Sequence, residues 1–140
     1  MKLLLSIVCC LLFLNFTTAK DVIDAKLYSH ALHCPKKYEK DLNQLVAYLQ
    51  QPAINESQVV EVFFYWITEN IEYDVEAFWG NSDNNQSNVP FFLRKALCQG
   101  YSELLKEMCD LVPIKCYIIS GYCKVNFSDI PKTYHQSDHA

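Results

Sequence analysis

The feature that most limits how this 140-residue chain can fold is a nearly continuous run of apolar side chains between residues 59 and 67. The run follows Asn55-Glu56-Ser57-Gln58, which resembles a capping box and predicts a helix that continues to about Asn70. A helix that is hydrophobic most of the way round belongs in the interior, packed on more than one side. The rest of the chain must therefore supply the elements that cover it.

The remaining sequence predicts further helices and then strands. Leucine and valine residues at helical spacing predict an amphipathic helix over 38–51, and a shorter helix is expected over 21–31. Another helix runs from Cys98 to about Cys109, and Lys115 to Ser120 has the apolar composition of a strand. Helices followed by strands indicate an α+β protein.

The N-terminus has the pattern of a cleaved signal peptide. Met1-Lys2 supplies a positive start, an apolar run of 14 residues follows, and Thr17-Thr18-Ala19 offers small side chains for cleavage after Ala19. The run is too short to span a bilayer comfortably, since about 20 residues are needed. A membrane anchor and a buried first helix are the alternatives. We expect residues 1–19 to be removed and the protein to be secreted or extracytoplasmic, with no membrane association afterwards.

The composition is that of one small packed domain. Hydrophobic residues make up 51% of the chain and aromatic residues 14%, which is sufficient for a core and too apolar for a disordered chain. The formal charge is −4 and no basic cluster is longer than two residues, so nucleic acid is not an expected partner. Three Asn-x-Ser sequons, at Asn55, Asn85 and Asn126, favour a eukaryotic secretory route.

Five cysteines remain after the predicted cleavage site: Cys34, Cys98, Cys109, Cys116 and Cys123. In an oxidising compartment the simplest arrangement is two disulfides and one free thiol, and we expect Cys98 to be the free one. The alternative is that the other four are small buried side chains that never pair. Core positions are expected for Cys109 and Cys116. The spacing of His30, His33 and Cys34 matches no standard zinc pattern, so no metal site is predicted.

Cys98 begins a predicted helix within Leu97-Cys98-Gln99-Gly100-Tyr101. A thiol is nucleophilic as the thiolate, and the unpaired amides and partial positive charge of a helix N-terminus favour that anion. The amide of Cys98 would be free to bind a developing oxyanion, and Gly100 predicts room for an extended substrate. His139, 41 residues further along, is the candidate base.

Four motifs occur in order between about residue 58 and the last residue. They are Trp66-Ile67-Thr68-Glu69-Asn70-Ile71-Glu72-Tyr73-Asp74, Cys98-Gln99-Gly100-Tyr101-Ser102-Glu103-Leu104, Ile118-Ile119-Ser120-Gly121-Tyr122 and Asp138-His139-Ala140. Each is weak alone, but the four in register are specific. The set resembles that of the transglutaminase-like superfamily, within the papain-like cysteine-protein fold.

The resemblance implies an α+β, papain-like core. Its helices, including the Cys98 helix, would pack on an antiparallel sheet that is incomplete in this chain. We assign this transglutaminase-like core to residues 58–140 and an N-terminal helical segment to residues 20–57. Trp66 and Tyr73 correspond to positions that pack beside the catalytic helix.

The resemblance also implies roles for individual residues. Cys98 would be the nucleophile and His139 the general base. The acid that orients the histidine in this superfamily lies past Ala140, and Asp138 does not match its position.

The leading hypothesis is a secreted thiol enzyme that acts on peptide or glutamine amides through an acyl-thioester. Transfer of the acyl group to water would make it a peptidase or deamidase, a hydrolase; transfer to an amine would make it a transglutaminase, an acyltransferase. A protein or peptide substrate is the expected partner, and no cofactor is expected. An alternative is a catalytically inactive extracellular protein-binding module on the same scaffold. A disulfide-stapled secreted factor without a site is a third possibility.

Overall fold

A computed structural model describes residues 19–80 and 90–121. They form six α-helices, one 3-10 helix and two short strands. In chain order these are α1 (Ala19–Leu32), the 3-10 helix (Tyr38–Lys40), α2 (Leu42–Leu49), α3 (Glu56–Asn70), β1 (Glu72–Tyr73), α4 (Val75–Phe78), α5 (Pro90–Leu93), β2 (Lys95–Ala96) and α6 (Cys98–Asp110). Nearly all of the predicted signal peptide, residues 1–18, lies outside the described residues.

Helix α3 is the central element. Its predicted capped start at Asn55 and its predicted packing on more than one side are both confirmed. Asn55 is its N-cap and accepts a hydrogen bond at Oδ1 from the backbone N–H of Gln58, at 3.0 Å. The side chain of Gln58 accepts in return from the backbone N–H of Ile54, at 2.9 Å, one residue earlier than in a standard capping box. Helices α1, α2 and α6 all pack against α3, so the apolar helix is covered on several sides.

The core is a single cluster of apolar side chains drawn from these helices. Its largest fully buried members are Trp66, Phe63, Phe91, Leu27, Leu45, Leu49, Leu104 and Met108. Among the described residues no polar or charged residue is buried. Helix α1 shares this cluster with α3, although the predicted boundary between the two segments falls at residue 58. That boundary stays a prediction.

The helix predicted over residues 38–51 is divided in two. Asp41 has an extended backbone (φ −144°, ψ 124°) between the 3-10 helix and α2. Its carboxylate accepts a hydrogen bond from the backbone N–H of Gln44 at 2.9 Å, so it caps α2. An aspartate with this extended backbone favours the start of a new helix over continuation of the old one. The periodicity of the leucines therefore predicted the helical conformation correctly but placed the start of the helix too early.

The described residues contain one parallel strand pair, in which Glu72 is opposite Lys95 and Tyr73 opposite Ala96. The strand predicted from Lys115 to Ser120 is not found, and within the described residues no backbone pairs with that segment. The antiparallel sheet implied by the resemblance stays a prediction, since the residues beyond 121 lie outside the described part of the chain.

Arg94 joins the N-terminal segment to the strand pair. Its guanidinium lies over the rings of Trp66 and Phe91, at 4.7 and 5.2 Å from their centroids. Nη2 donates to the carboxylate and to the backbone carbonyl of Glu39, both at 3.3 Å. The carbonyl of Arg94 accepts from the N–H of Glu72 at 2.8 Å, with φ at 58°, a value uncommon outside glycine. Nothing local in the sequence indicates this role.

The two cations that contact Glu39 differ in burial, which provides a matched test. The Lys36 side chain is 85% exposed and that of Glu39 is 9% exposed. Arg94→Met removes the guanidinium from a nearly buried carboxylate, so we expect the free energy of unfolding to fall by about 2 kcal/mol. Lys36→Ala removes only an exposed ion pair and should change it by less than about 0.5 kcal/mol. Urea denaturation measures both, and equal effects would contradict the assignment.

Candidate functional site

Cys98 is the first residue of α6, as predicted, and its side chain is partly exposed. Strand β2 ends at Ala96, and the extended Leu97 (φ −87°, ψ 177°) is the N-cap of the helix. Because β2 pairs with β1, which follows α3 directly, the backbone before the cysteine is held on the central helix. The predicted helix from Cys98 to Cys109 is confirmed.

The N-terminus of α6 has no side-chain cap. Leu97 has no acceptor to offer, and the first helical hydrogen bond runs from the N–H of Tyr101 to the carbonyl of Leu97, at 3.2 Å. Within the described residues the amides of residues 98–100 have no acceptor. Helices α2, α3 and α4, by contrast, are each capped by an aspartate or asparagine. Free amides and the helix dipole stabilise negative charge here, so the position suits a thiolate or an oxyanion.

Gly100 has a different role from the one predicted. A Cβ at this position would lie 2.9 Å from the Cβ of Ala96 and 3.2 Å from Cγ of Pro90. The glycine therefore faces β2 and α5, and the space that its missing side chain leaves is occupied by the protein. The prediction that it makes room for a substrate is wrong. Its absent side chain instead allows the first turn of α6 to lie directly against β2.

Gly100→Ala should destabilise the protein although alanine favours helices. The gain in helix propensity is about 1 kcal/mol, whereas forcing a methyl group into a filled space costs typically 1–3 kcal/mol. We expect a lower melting temperature and a slower alkylation of Cys98, because the first turn must move. The neighbouring Gln99 is exposed, so Gln99→Ala is the control and should leave both measurements nearly unchanged. If the Gly100→Ala protein kept both the melting temperature and the alkylation rate of the wild type, the close approach of α6 to Ala96 would not be required.

Two side-chain hydrogen bonds form in the first turns of the helix, and one of them joins it to α3. The Tyr101 hydroxyl donates to the carbonyl of Ile71, the C-cap residue of α3, at 2.7 Å. Burial, followed by the nearby Glu72 carboxylate, raises the pKa of the Tyr101 phenol, so it remains a donor at neutral pH. Ser102 Oγ donates to the carbonyl of Cys98 at 3.2 Å. The first of these bonds fixes the start of α6 to the end of α3.

The two aromatic residues of the first motif lie in different surroundings. Trp66 is fully buried on α3, with its ring centroid 6.0 Å from that of Phe91, and has the packing role predicted for it. Tyr73 lies on β1 opposite Ala96, but the residue is 44% exposed and its ring lies near that of Phe78. Tyr73 therefore supports the start of α6 through its backbone.

All four cysteines of the described residues, Cys34, Cys98, Cys109 and Cys116, have free thiols; Cys123 lies outside. Cys109 is buried on the inner side of α6, as expected of a core position. Burial, and then the neighbouring Cys116, raises the pKa of the Cys109 thiol to about 11. Burial, and then the Glu39 carboxylate, raises the pKa of the Cys34 thiol to about 11. These two thiols are therefore poor nucleophiles in the folded protein.

The raised pKa values of Cys34 and Cys109 predict that an alkylating reagent will distinguish among the thiols. At pH 8 a thiol with a pKa of about 11 is ionised in roughly one molecule in a thousand, so Cys34 and Cys109 should react far more slowly than Cys98. The two raised pKa values also make the free energy of unfolding depend on pH. The contribution of the protonated thiols is fully present below pH 9 and is lost as the pH rises through about 11, because the unfolded chain releases these protons first. Iodoacetamide labelling, read by peptide mass spectrometry with a urea-unfolded control, measures the order. Equal labelling rates in the folded protein would contradict it.

His139 lies outside the described residues, together with Asp138 and Ala140, so its place relative to Cys98 stays a prediction. The described histidines have structural contacts. His30 Nε2 is 3.0 Å from the carbonyl of Tyr48, on whose ring the imidazole stacks, and His33 Nδ1 is 2.8 Å from the carbonyl of Ser29.

The described part of the chain contains no group of three or more histidine, cysteine, aspartate or glutamate side chains that could hold a metal ion. None of the helices α1 to α6 is both long and apolar enough to cross a membrane.

The described residues thus define a helix-start thiol on a helical core, a class of site found in many cysteine enzymes. No protein-family model matches the chain, and no solved structure matches it. Kyphoscoliosis peptidase of Mus musculus is 35% identical over 86 residues, which are 59% of this chain and 13% of that protein. The Homo sapiens protein of the same name is 33% identical over 86 residues, with the same two shares. The chain is therefore similar to a small part of these relatives.

Proposed function

We propose that this chain carries the thiol centre of a secreted, transglutaminase-like enzyme that acts on peptide or glutamine amides through an acyl-thioester. The observation that carries the proposal is the position of Cys98 at the uncapped start of α6, held against β2. Similarity to two proteins named as peptidases supports it. A papain-like fold for residues 58–140 is part of the proposal.

In the first half of the proposed reaction the amide is cleaved. His139 takes the proton of the Cys98 thiol, and Sγ attacks the carbonyl carbon of the substrate amide. A carbon–sulfur bond forms while the carbonyl electrons move to oxygen, where the free amides at the start of α6 stabilise the negative charge. The intermediate then collapses, the carbon–nitrogen bond breaks, and the amine leaves with the proton from the imidazolium. The acyl group remains on Cys98 as a thioester.

In the second half the thioester is resolved. His139 removes a proton from water or from a primary amine, and the activated oxygen or nitrogen attacks the thioester carbonyl. The carbon–sulfur bond breaks and Sγ leaves as the thiolate, which recovers its proton. Water yields a carboxylic acid, the outcome for a peptidase or a deamidase. A primary amine yields a new amide, the outcome for a transglutaminase.

Replacing the nucleophile tests the proposal directly. Cys98→Ala should lower the turnover of a glutamine-containing peptide by at least about 10³-fold, because no thioester can form. Cys116→Ala is the matched control, since Cys116 is also a partly buried thiol in the same domain, and should retain activity within about threefold. Ammonia release, peptide cleavage and incorporation of a fluorescent primary amine distinguish the three outcomes. The wild type and both variants are produced as the full-length protein.

The catalytic assignment fails if intact mass spectrometry shows no acyl adduct on Cys98 and its alkylation is no faster than that of free cysteine at every pH. The same result, in a protein that is folded by circular dichroism, would favour the inactive protein-binding module. The folded control is informative because α6 also contributes Leu104 and Met108 to the core.

A further inference from the structure

We propose that Asn55 is a glycosylation site that carries an N-linked glycan on Nδ2 while its Oδ1 caps helix α3. This inference rests on one part of the proposed function, the secretory route, and does not depend on the thiol chemistry. Asn55-Glu56-Ser57 forms a sequon, and all three residues are exposed. The other two sequons of the predicted mature chain, at Asn85 and Asn126, lie outside the described residues.

The capping hydrogen bond determines which atom of the Asn55 amide is available. The backbone N–H of Gln58 is a donor and requires an acceptor, so the atom 3.0 Å from it is Oδ1. Nδ2 is then the free atom of the amide, and it donates no hydrogen bond to any residue that the structure describes. Glycosylation occurs on Nδ2 and leaves Oδ1 as a carbonyl acceptor. The cap and the glycan can therefore coexist on one side chain.

The other described asparagines do not offer this combination. Asn43 and Asn70 are not followed by serine or threonine two positions later. Asn70 also uses its Nδ2 to donate to the carbonyl of Trp66, at 2.9 Å. Only Asn55, among the asparagines that the structure describes, has both the sequon and an available amide nitrogen.

The fold leaves room for a sugar at this end of the molecule. Ile54, the residue before the sequon, is 81% exposed, and a glycan on Asn55 would cover part of its apolar surface. Cys98 lies near the opposite end of α3, since Ile71 there accepts the hydrogen bond from Tyr101. A helix of 15 residues is about 22 Å long, so the point of attachment lies at the other end of α3 from the thiol.

The transfer needs a co-substrate of defined chemical class, a lipid pyrophosphate-linked oligosaccharide. Nδ2 attacks the anomeric carbon of the first N-acetylglucosamine. The carbon–nitrogen bond forms, the bond from that carbon to the phosphate oxygen breaks, and lipid pyrophosphate leaves. One proton is lost from Nδ2, and the product remains an amide that can cap a helix.

Two variants remove the glycan by different routes without disturbing the cap. Asn55→Asp keeps an oxygen acceptor, because aspartate and asparagine are comparable N-caps, but lacks the amide nitrogen. Ser57→Ala destroys the sequon and leaves Asn55 in place. In the full chain secreted from cultured animal cells, each should abolish the single glycan at this position. Digestion with peptide-N-glycosidase in heavy-oxygen water, followed by peptide mass spectrometry, should show Asn55 converted to labelled aspartate in the wild-type chain alone.

The glycan should leave the thiol site unaffected. Cys98 alkylation should be equal, within about twofold, in the wild type, in Ser57→Ala and in enzymatically deglycosylated protein. An unmodified Asn55 peptide in the secreted chain overturns the proposal, and so does a chain that is retained in the cytosol without a glycan. Failure of the proposed function is seen separately, as an unreactive Cys98 in a chain that is glycosylated at Asn55.

Discussion

Burial of helix α3 is the constraint on which the rest of the described structure depends. Trp66 and Phe63 are fully buried, and α1, α2 and α6 cover the helix from several sides. Burying side chains of this size contributes roughly 1.5–3 kcal/mol each relative to exposure. The position of the candidate site follows from it, because the C-cap of α3, Ile71, accepts the hydrogen bond from Tyr101 and leads directly into β1.

The start of α6 combines tight packing with an unsatisfied terminus. Gly100 allows the first turn to lie against Ala96, which restricts how Cys98 can move. Leu97 occupies the N-cap, where an aspartate or asparagine would stabilise the helix by about 1 kcal/mol. Stability is therefore given up at the start of α6, where free amides can act on a thiolate or an oxyanion. Sites of chemistry commonly break local rules in this way, which accords with the proposed role of Cys98.

Sequence patterns predicted the helices well where the signal was local. Apolar periodicity and the Asn55 cap located α3, and the motif around Cys98 located α6, because both signals act within a few residues along the chain. The prediction over residues 38–51 had the right type and the wrong start, since the extended backbone at Asp41 interrupts the helix. The strand predicted over residues 115–120 is not found in the described part of the chain; a strand requires a partner, and the pattern of the segment itself does not supply one.

The sequence by itself determined that this chain has a central apolar helix and a cysteine at the start of a later one. Only the tertiary structure decided what surrounds them. Arg94 and Glu39 are 55 residues apart, and Tyr101 and Ile71 are 30 apart, so no local pattern could pair them. The role of Gly100 was also hidden, because a glycine's missing side chain has meaning only when its neighbours are in place. Helix formation depends on near neighbours in sequence, whereas packing depends on neighbours in space.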